Sequence, residues 1–447
     1  MEFGIFYFMF PPQILYLLEI LSPVLIPVWQ ILKSWWWLLV PFILWQPFCF
    51  LWLWWRKEVW LKKINFILLE IKIPKEVLKP IRAMETVMAA LRQIIYQPPD
   101  WWEKWIDGQI QLSYSFEIVS IGGEPHFFIR IPEGIRDSVE SSVYSQYSEA
   151  EISVADDYIK SVPSDIPNKE WNFWAADYKL LKPDSYPIKT YSEFETEREA
   201  KEEKRIDPIA DLLESMAKIK PGEQLWVQIV ASPVSREESS WIEEGEKIRD
   251  ELAKRVEKAP SRKLMILEAA DVLISGKPPG EDKEEKETVI PVEMKLTPGE
   301  REIISGVEKK IAKPGFKTNI RFIYLGKRDV FFTSNLRLVF GFFASFGTEN
   351  LNYLAPWGKT MTKIHKSWFL PINLLHNRRS YLRRRKIFRN YILRVNPLFP
   401  RKGGTFILNI EELASLFHFP GRSSAQAPFV SRVEAKKGEA PPGLPTE

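Results

Sequence analysis

The chain has 447 residues, 45% hydrophobic and 27% charged, with a net charge of +4, which is long enough for more than one packed domain. One cysteine, Cys49, excludes an intramolecular disulfide framework and a cysteine-based zinc or iron–sulfur centre. Four scattered histidines, His126, His365, His376 and His418, leave little for a histidine metal cage, and no cofactor is implied.

The near-neutral average hides an asymmetry. Residues 1–55 hold only Glu2, Glu19 and Lys33 as charged groups, together with eight of the 18 tryptophans. Ser34–Trp55 runs 22 residues without a charge, matching the roughly 20 needed to cross a hydrocarbon core of about 30 Å. Trp35, Trp36 and Trp37 at one end, and Trp52, Trp54 and Trp55 at the other, suit the headgroup boundary, with Arg56 and Lys57 just beyond. Gln13–Leu32 is also mostly apolar, so one pass and two passes both stay open. Lys62 and Lys63 add to the positive charge after the span, against Lys33 before it. That bias predicts an inner-membrane protein, in contact with membrane lipids, with its bulk in the cytoplasm.

Further along, apolar residues at spacings of three and four predict a helix over Ile81–Ile95. Gln109–Ser120 and His126–Ile131 read as a hairpin around Gly122-Gly123-Glu124. A helix over Glu133–Tyr147, a short strand at Ile152–Val154 and a strand region at Lys179–Tyr191 follow. Pro208–Lys218 reads as a helix, Gln224–Val230 as a strand and Arg236–Val256 as a charged helix. Ser275–Glu293 is rich in Pro, Gly and charge and reads as a linker. Thr297, Pro298 and Glu300 form a helix-start signature, before a strand at Phe316–Leu325 and a helix at Val330–Phe346.

The fold expected is α+β: an N-terminal transmembrane helix or helices, then two ferredoxin-like sandwich units with mostly antiparallel sheets, each covered by helices on one face. The domains expected are an anchor at 1–63, a first α+β domain at 64–274, a linker at 275–295, a second α+β domain with a basic helix at 296–420, and a disordered tail at 421–447.

No nucleotide-binding P-loop, dinucleotide fingerprint, nucleophile elbow or zinc-protease motif occurs. The strongest charge feature is Arg378, Arg379, Arg383, Arg384, Arg385, Lys386 and Arg389, seven basic residues within twelve positions. Such a stretch can bind phosphates of nucleic acid or anionic lipid, or an acidic protein, and it can also be a solvated helix face. In Asn409–Pro420, Asn409 caps a helix, Glu411 and Glu412 complement its dipole, and Leu413, Leu416, Phe417 and Phe419 form an apolar face. That segment is either a capping helix of the last domain or a docking helix for a partner.

Phe66–Glu85, Phe116–Pro132, Val139–Ile152, Ile242–Leu252, Phe316–Tyr324 and Leu408–Pro420 together resemble the region preceding the motor domain of TraC-like and HerA-like conjugation and type IV secretion ATPases. The resemblance is closest to an uncharacterised membrane-anchored family in which this region stands alone. It implies a non-enzymatic adaptor or scaffold of a DNA- or protein-transfer machine. A separate AAA+/HerA-like ATPase would be its partner, and a homo-oligomer, hexameric if matched to that ATPase, its assembly. No catalytic residue is implied. The alternative is a membrane-bound nucleic-acid or anionic-lipid binding module using Arg378–Arg389.

Overall fold

A computed structural model describes residues 27, 33–34, 39–74, 79–194, 207–235, 239–252, 296–363, 376–396 and 404–421. Two compact units emerge, one formed by Met1–Ile64 with Pro99–Ile110 and the other by Asn65–Pro98 with Gln111–Glu447.

In the first unit, α1 spans Leu39–Leu61. Its apolar run ends at Trp55, and Arg56, Lys57 and Glu58 fall inside the helix. From Leu39 to Trp55 the helix is shorter than the roughly 20 apolar residues that span a bilayer core. No helix among the described residues is long and apolar enough to cross a membrane. The expected transmembrane helix is therefore corrected, and the inner-membrane placement loses the support it drew from that helix. Trp35, Trp36 and Trp37, and Gln13–Leu32 apart from Pro27, lie outside the described residues. A π-helical turn, Glu103–Asp107, docks on α1, where Trp52 Nε1 donates to Trp105 O (2.8 Å). Gly108 (φ +76°) makes the close approach possible, since a Cβ there would sit 2.4 Å from the Arg56 carbonyl carbon.

The second unit is built on one sheet. Its strands are β1 (Phe66–Lys72), β2 (Tyr114–Ile121), β3 (Glu124–Pro132), β4 (Glu151–Ala155), β5 (Trp171–Leu180), β6 (Glu223–Pro233), β7 (Gly315–Lys327), β8 (Leu354–Pro356) and β9 (Phe406–Asn409). Their order is β4-β1-β3-β2-β6-β7-β5-β8, with β9 beside β7, and every pairing is antiparallel. Two separate sandwich units were expected. Instead β6 and β7 pair from Glu223↔Gly326 to Pro233↔Phe316, joining the two halves across the expected linker. The reason is burial: all of β6 is buried, so neither of its edges can be left to solvent. Residues 275–295 and 422–447, read as linker and tail, lie outside the described residues.

Helices of this unit are α2 (Arg82–Ile95), α3 (Arg136–Gln146), α4 (Pro208–Ala217), α5 (Trp241–Leu252), α6 (Pro298–Ala312), α7 (Leu336–Ala344), α8 (His376–Leu393) and α9 (Ile410–Leu416). Strand period two sends Phe116, Ile118, Val227, Ile229, Ile320 and Phe322 to one face. There they meet Met84, Val87, Met88 and Leu91 of α2, Leu212 and Met216 of α4, Phe342 and Phe343 of α7, and Leu413 and Leu416 of α9. The opposite face carries Val119, Phe128, Phe173, Trp226, Ile323 and Leu325, and Ile387, Phe388 and Tyr391 cover it. Both faces are thus packed, where helices on one face only were expected. A strand over Lys179–Tyr191 is also corrected: β5 ends at Leu180, because its apolar run, Trp171 to Ala176, lies earlier.

Candidate functional site

α8 (HNRRSYLRRRKIFRNYIL) contains no acidic residue. It is held on the sheet by Ile387, Phe388 and Tyr391, which lie on one side of the helix and are buried. Phe388 meets Phe173 with ring centroids 5.8 Å apart, and Tyr391 meets Trp226 at 5.3 Å.

The helix ends at Leu393 and is followed by Arg394, whose φ of 51° lies in the left-handed region, a strained setting for a residue other than glycine. Arg394 is over-determined by its partners. Nε and Nη2 donate to Glu117 Oε1 and Oε2 (2.7 and 2.9 Å), while Nη1 and Nη2 donate to Asp157 Oδ2 and Oδ1 (2.6 and 3.0 Å). Glu117, 0% exposed in β2, also accepts from Ser115 Oγ (2.6 Å), Gln228 Nε2 (2.9 Å) and Tyr158 OH (2.8 Å). Tyr158 and Tyr391 share a hydroxyl contact of 2.6 Å. Burial drives both phenols far above their ordinary range, and the Glu117 charge adds to it. Burial also opposes the Asp157 carboxylate, but the bonds and charge of Arg394 outweigh it and hold that pKa below the usual value. The register extends this polar row across four strands, Glu117↔Gln228↔Arg321↔Asp177, with Arg321 Nε 3.3 Å from Asp177 Oδ1.

The seven basic residues expected to act together divide into two groups. Arg378, Arg379, Lys386 and Arg389 are exposed. Arg379, Lys386 and Arg389 share one helical face with exposed Leu382 and Leu393, at steps of three and four residues. Arg383, Arg384 and Arg385 turn toward the protein. Arg383 Nη1 donates to Gly358 O (3.3 Å) and Met361 O (3.0 Å), Arg384 Nη1 to Asn172 Oδ1 (2.8 Å), and Arg385 Nη1 to Ser164 O (2.9 Å).

The Asn409–Pro420 segment lies inside the core. Leu413, Leu416 and Phe417 are fully buried, and Phe419 nearly so. Phe417 packs on Phe116 (5.1 Å between centroids), and Phe419 on Tyr147 (5.0 Å). Glu411 accepts from Lys313 Nζ (2.7 Å) and Thr190 Oγ1 (2.7 Å). Glu412 closes a capping box with Asn409 and sits 3.1 Å from Lys310 Nζ. Of the two readings of this segment, the geometry matches the capping helix; as folded, none of these side chains offers a face to a partner.

Of the tryptophans expected to anchor α1, Trp52 bonds the π-helical turn, and Trp54 and Trp55 are exposed. Arg56 lies over the Trp55 ring at 5.6 Å. Lys57 is buried, which lowers its pKa to about 8. Sequence reasoning missed Glu117, Asp157, Tyr158, Tyr391 and Arg394. The available signal for Glu117 was one acid inside a strand without any other charge; for Arg394 there was none.

Fold and site define a single-sheet α+β protein whose second face carries a basic helix latched by a buried arginine–carboxylate pair. The family model described as Domain of unknown function (DUF8128) matches residues 100–428, and the chain belongs to that family. No curated protein matches it.

Proposed function

We propose that this chain is a non-enzymatic nucleic-acid-binding module that docks the phosphate backbone on α8. One observation carries the reading: Arg378, Arg379, Lys386 and Arg389 are exposed on a helix with no acid to neutralise them, and Arg394 fixes that helix to the sheet. Phosphate contacts from Arg and Lys supply the sequence-independent part of nucleic-acid affinity. A binding role without catalysis is supported by the fate of the strongest polar groups. Glu117, Arg394, Glu412 and Lys310 are buried and paired to one another, out of reach of a substrate.

Fluorescence anisotropy of the full chain with a 25-base-pair duplex, titrated at several salt concentrations, tests this. Four engaged cations predict a log–log salt slope of about −3.6. Charge reversal of Arg378, Arg379, Lys386 and Arg389 together should abolish binding. Salt-independent binding, or binding untouched by the reversal, would refute the reading.

A second reading, an adaptor for a separate ATPase, is favoured by the exposed Trp45, Phe48, Trp101 and Trp102 of the first unit, since clustered exposed aromatics mark protein interfaces. Co-elution of the full chain with such an ATPase, lost on replacing Trp101 and Trp102 by Ser, is the expected result. Unchanged elution of the ATPase counts against it.

A further inference from the structure

The solvent face of α8 carries apolar groups as well as cations. Tyr381, Leu382, Ile392 and Leu393 are all exposed, four of the eight large apolar side chains exposed in the second unit among the described residues. None of them seats the helix, since Ile387, Phe388 and Tyr391 do that from its buried side. Apolar groups gathered on one exposed element mark a contact surface.

Their arrangement narrows what covers them. One row along the helix, in steps of three and four residues, runs Arg379, Leu382, Lys386, Arg389, Leu393. The row beside it runs Arg378, Tyr381, half-buried Arg385 and, two turns on, Ile392. Cations and apolar groups therefore interleave, and no acid on α8 offsets the charge. A helix that lies in a lipid surface needs the two kinds on separate faces, so that one enters the hydrocarbon while the other stays among the headgroups. Sinking Leu382 and Leu393 would drag Lys386 and Arg389 down with them. A duplex offers its phosphates to the cations, but its bases are stacked on one another and give Tyr381 no free face. A single strand presents phosphates and open base faces along one chain, which matches both components of this surface.

We infer that the nucleic acid docked on α8 is single-stranded, with its phosphates on Arg378, Arg379, Lys386 and Arg389 and a base stacked on the Tyr381 ring. Leu382, Ile392 and Leu393 give apolar contact to the bases on either side. The inference rests on the reading of α8 as a phosphate-docking helix and deepens it by naming the form of nucleic acid.

Fluorescence anisotropy of the full chain with a 25-base oligothymidylate, beside the 25-base-pair duplex in the same buffer, tests it. The single strand should bind more tightly than the duplex by about tenfold or more. With four engaged cations its log–log salt slope should be about −2.8, against about −3.6 for the duplex. Tyr381→Ala should weaken single-strand binding about tenfold while leaving its salt slope and the duplex affinity unchanged, and Tyr381→Phe, which keeps the ring, should bind like the wild type. Tyr381 is exposed, so neither variant disturbs the core. A duplex bound as tightly as the single strand, or single-strand binding untouched by Tyr381→Ala, overturns the inference, and duplex binding that is lost on reversal of the four cations then leaves the functional reading standing. Binding of neither oligonucleotide sinks the functional reading together with the inference, and capture of the chain by anionic phospholipid vesicles in that case assigns the face to lipid.

Discussion

Arg394 and Glu117, 277 positions apart in the chain, face each other through two N–H···O bonds of 2.7 and 2.9 Å in a site closed to solvent. The pair ties the end of α8 to the middle of the sheet, so the orientation of the basic helix depends on a contact that no local pattern encodes. Removing one partner leaves the other charged and buried, at a cost of about 3–5 kcal/mol. Arg394→Ala, which leaves both Glu117 and Asp157 without their cation, should lower unfolding free energy by about that amount in urea denaturation, and Glu117→Ala, which leaves Arg394 bonded to Asp157, should lower it by less. The double variant Glu117→Leu/Arg394→Met should lose less than the sum of the two. Additive losses would mean that the pair does not act as a unit.

A second carboxylate contact sets a pH response. Glu70 lies 2.7 Å from His126 Nδ1, and that hydrogen bond holds its carboxyl below the ordinary value against the opposing effect of burial. A carboxylate whose folded pKa is depressed contributes stability that is present above its unfolded pKa of about 4.3 and is lost as pH falls through the folded value. Glu70→Gln should therefore lower stability by about 1 kcal/mol at neutral pH and flatten the acid limb of the stability profile below pH ~4.3. Denaturation midpoints between pH ~3 and 7 check this; parallel profiles for the two proteins would contradict it.

What was legible in the sequence was local. The Gly122-Gly123 turn sets the β2–β3 hairpin, with both glycines at positive φ. The Thr297-Pro298-Glu300 signature forms the expected capping box, in which Glu300 Oε2 accepts from Thr297 N (2.8 Å). The spacing of Met84, Val87, Met88 and Leu91 places the buried face of α2. Each of these is decided within about a dozen residues. The single sheet was not legible, because nothing within Gln224–Val230 or Phe316–Leu325 says that the two strands pair. The division of the arginine run was also hidden, since Asn172, Ser164 and Met361, which draw in Arg384, Arg385 and Arg383, are distant in sequence. A charge count over Ser34–Trp55 suggested a span because tryptophan and proline are uncharged, and α1 carries its charges inside the helix.

The hairpin turn gives a backbone prediction. Gly123 has φ +101°, and a Cβ there would sit 2.7 Å from Ile219 O and 3.2 Å from Ala217 O. Both are backbone atoms at the end of α4 and just after it, so a side chain forces the turn away from that helix. Gly123→Ala should cost more than ~1 kcal/mol, through the strained dihedral together with the displaced contact. Gly134, where a Cβ meets nothing within 4 Å, provides the control. Gly134→Ala should leave the melting temperature near that of the wild type, and equal losses at the two sites would contradict the steric argument.

Lys57 provides an alkaline probe of the first unit. Burial holds its amine at about 8, against the opposing pull of Glu58, whereas the unfolded chain restores a value of about 10.4. Between those two values the unfolded state binds more protons, so this group raises stability as pH rises from about 8 toward 10.4. Below that range the folded state must hold a buried ammonium, which costs stability. Lys57→Met should therefore stabilise the unit at pH ~7 and remove the rise on the alkaline side. Carbon-13 dimethylation of the lysines, followed by NMR titration, reads the group directly: one resonance, absent in Lys57→Met, should titrate with a midpoint near 8. A midpoint above 10 for that resonance would place Lys57 in water and overturn the packing of α1 around it.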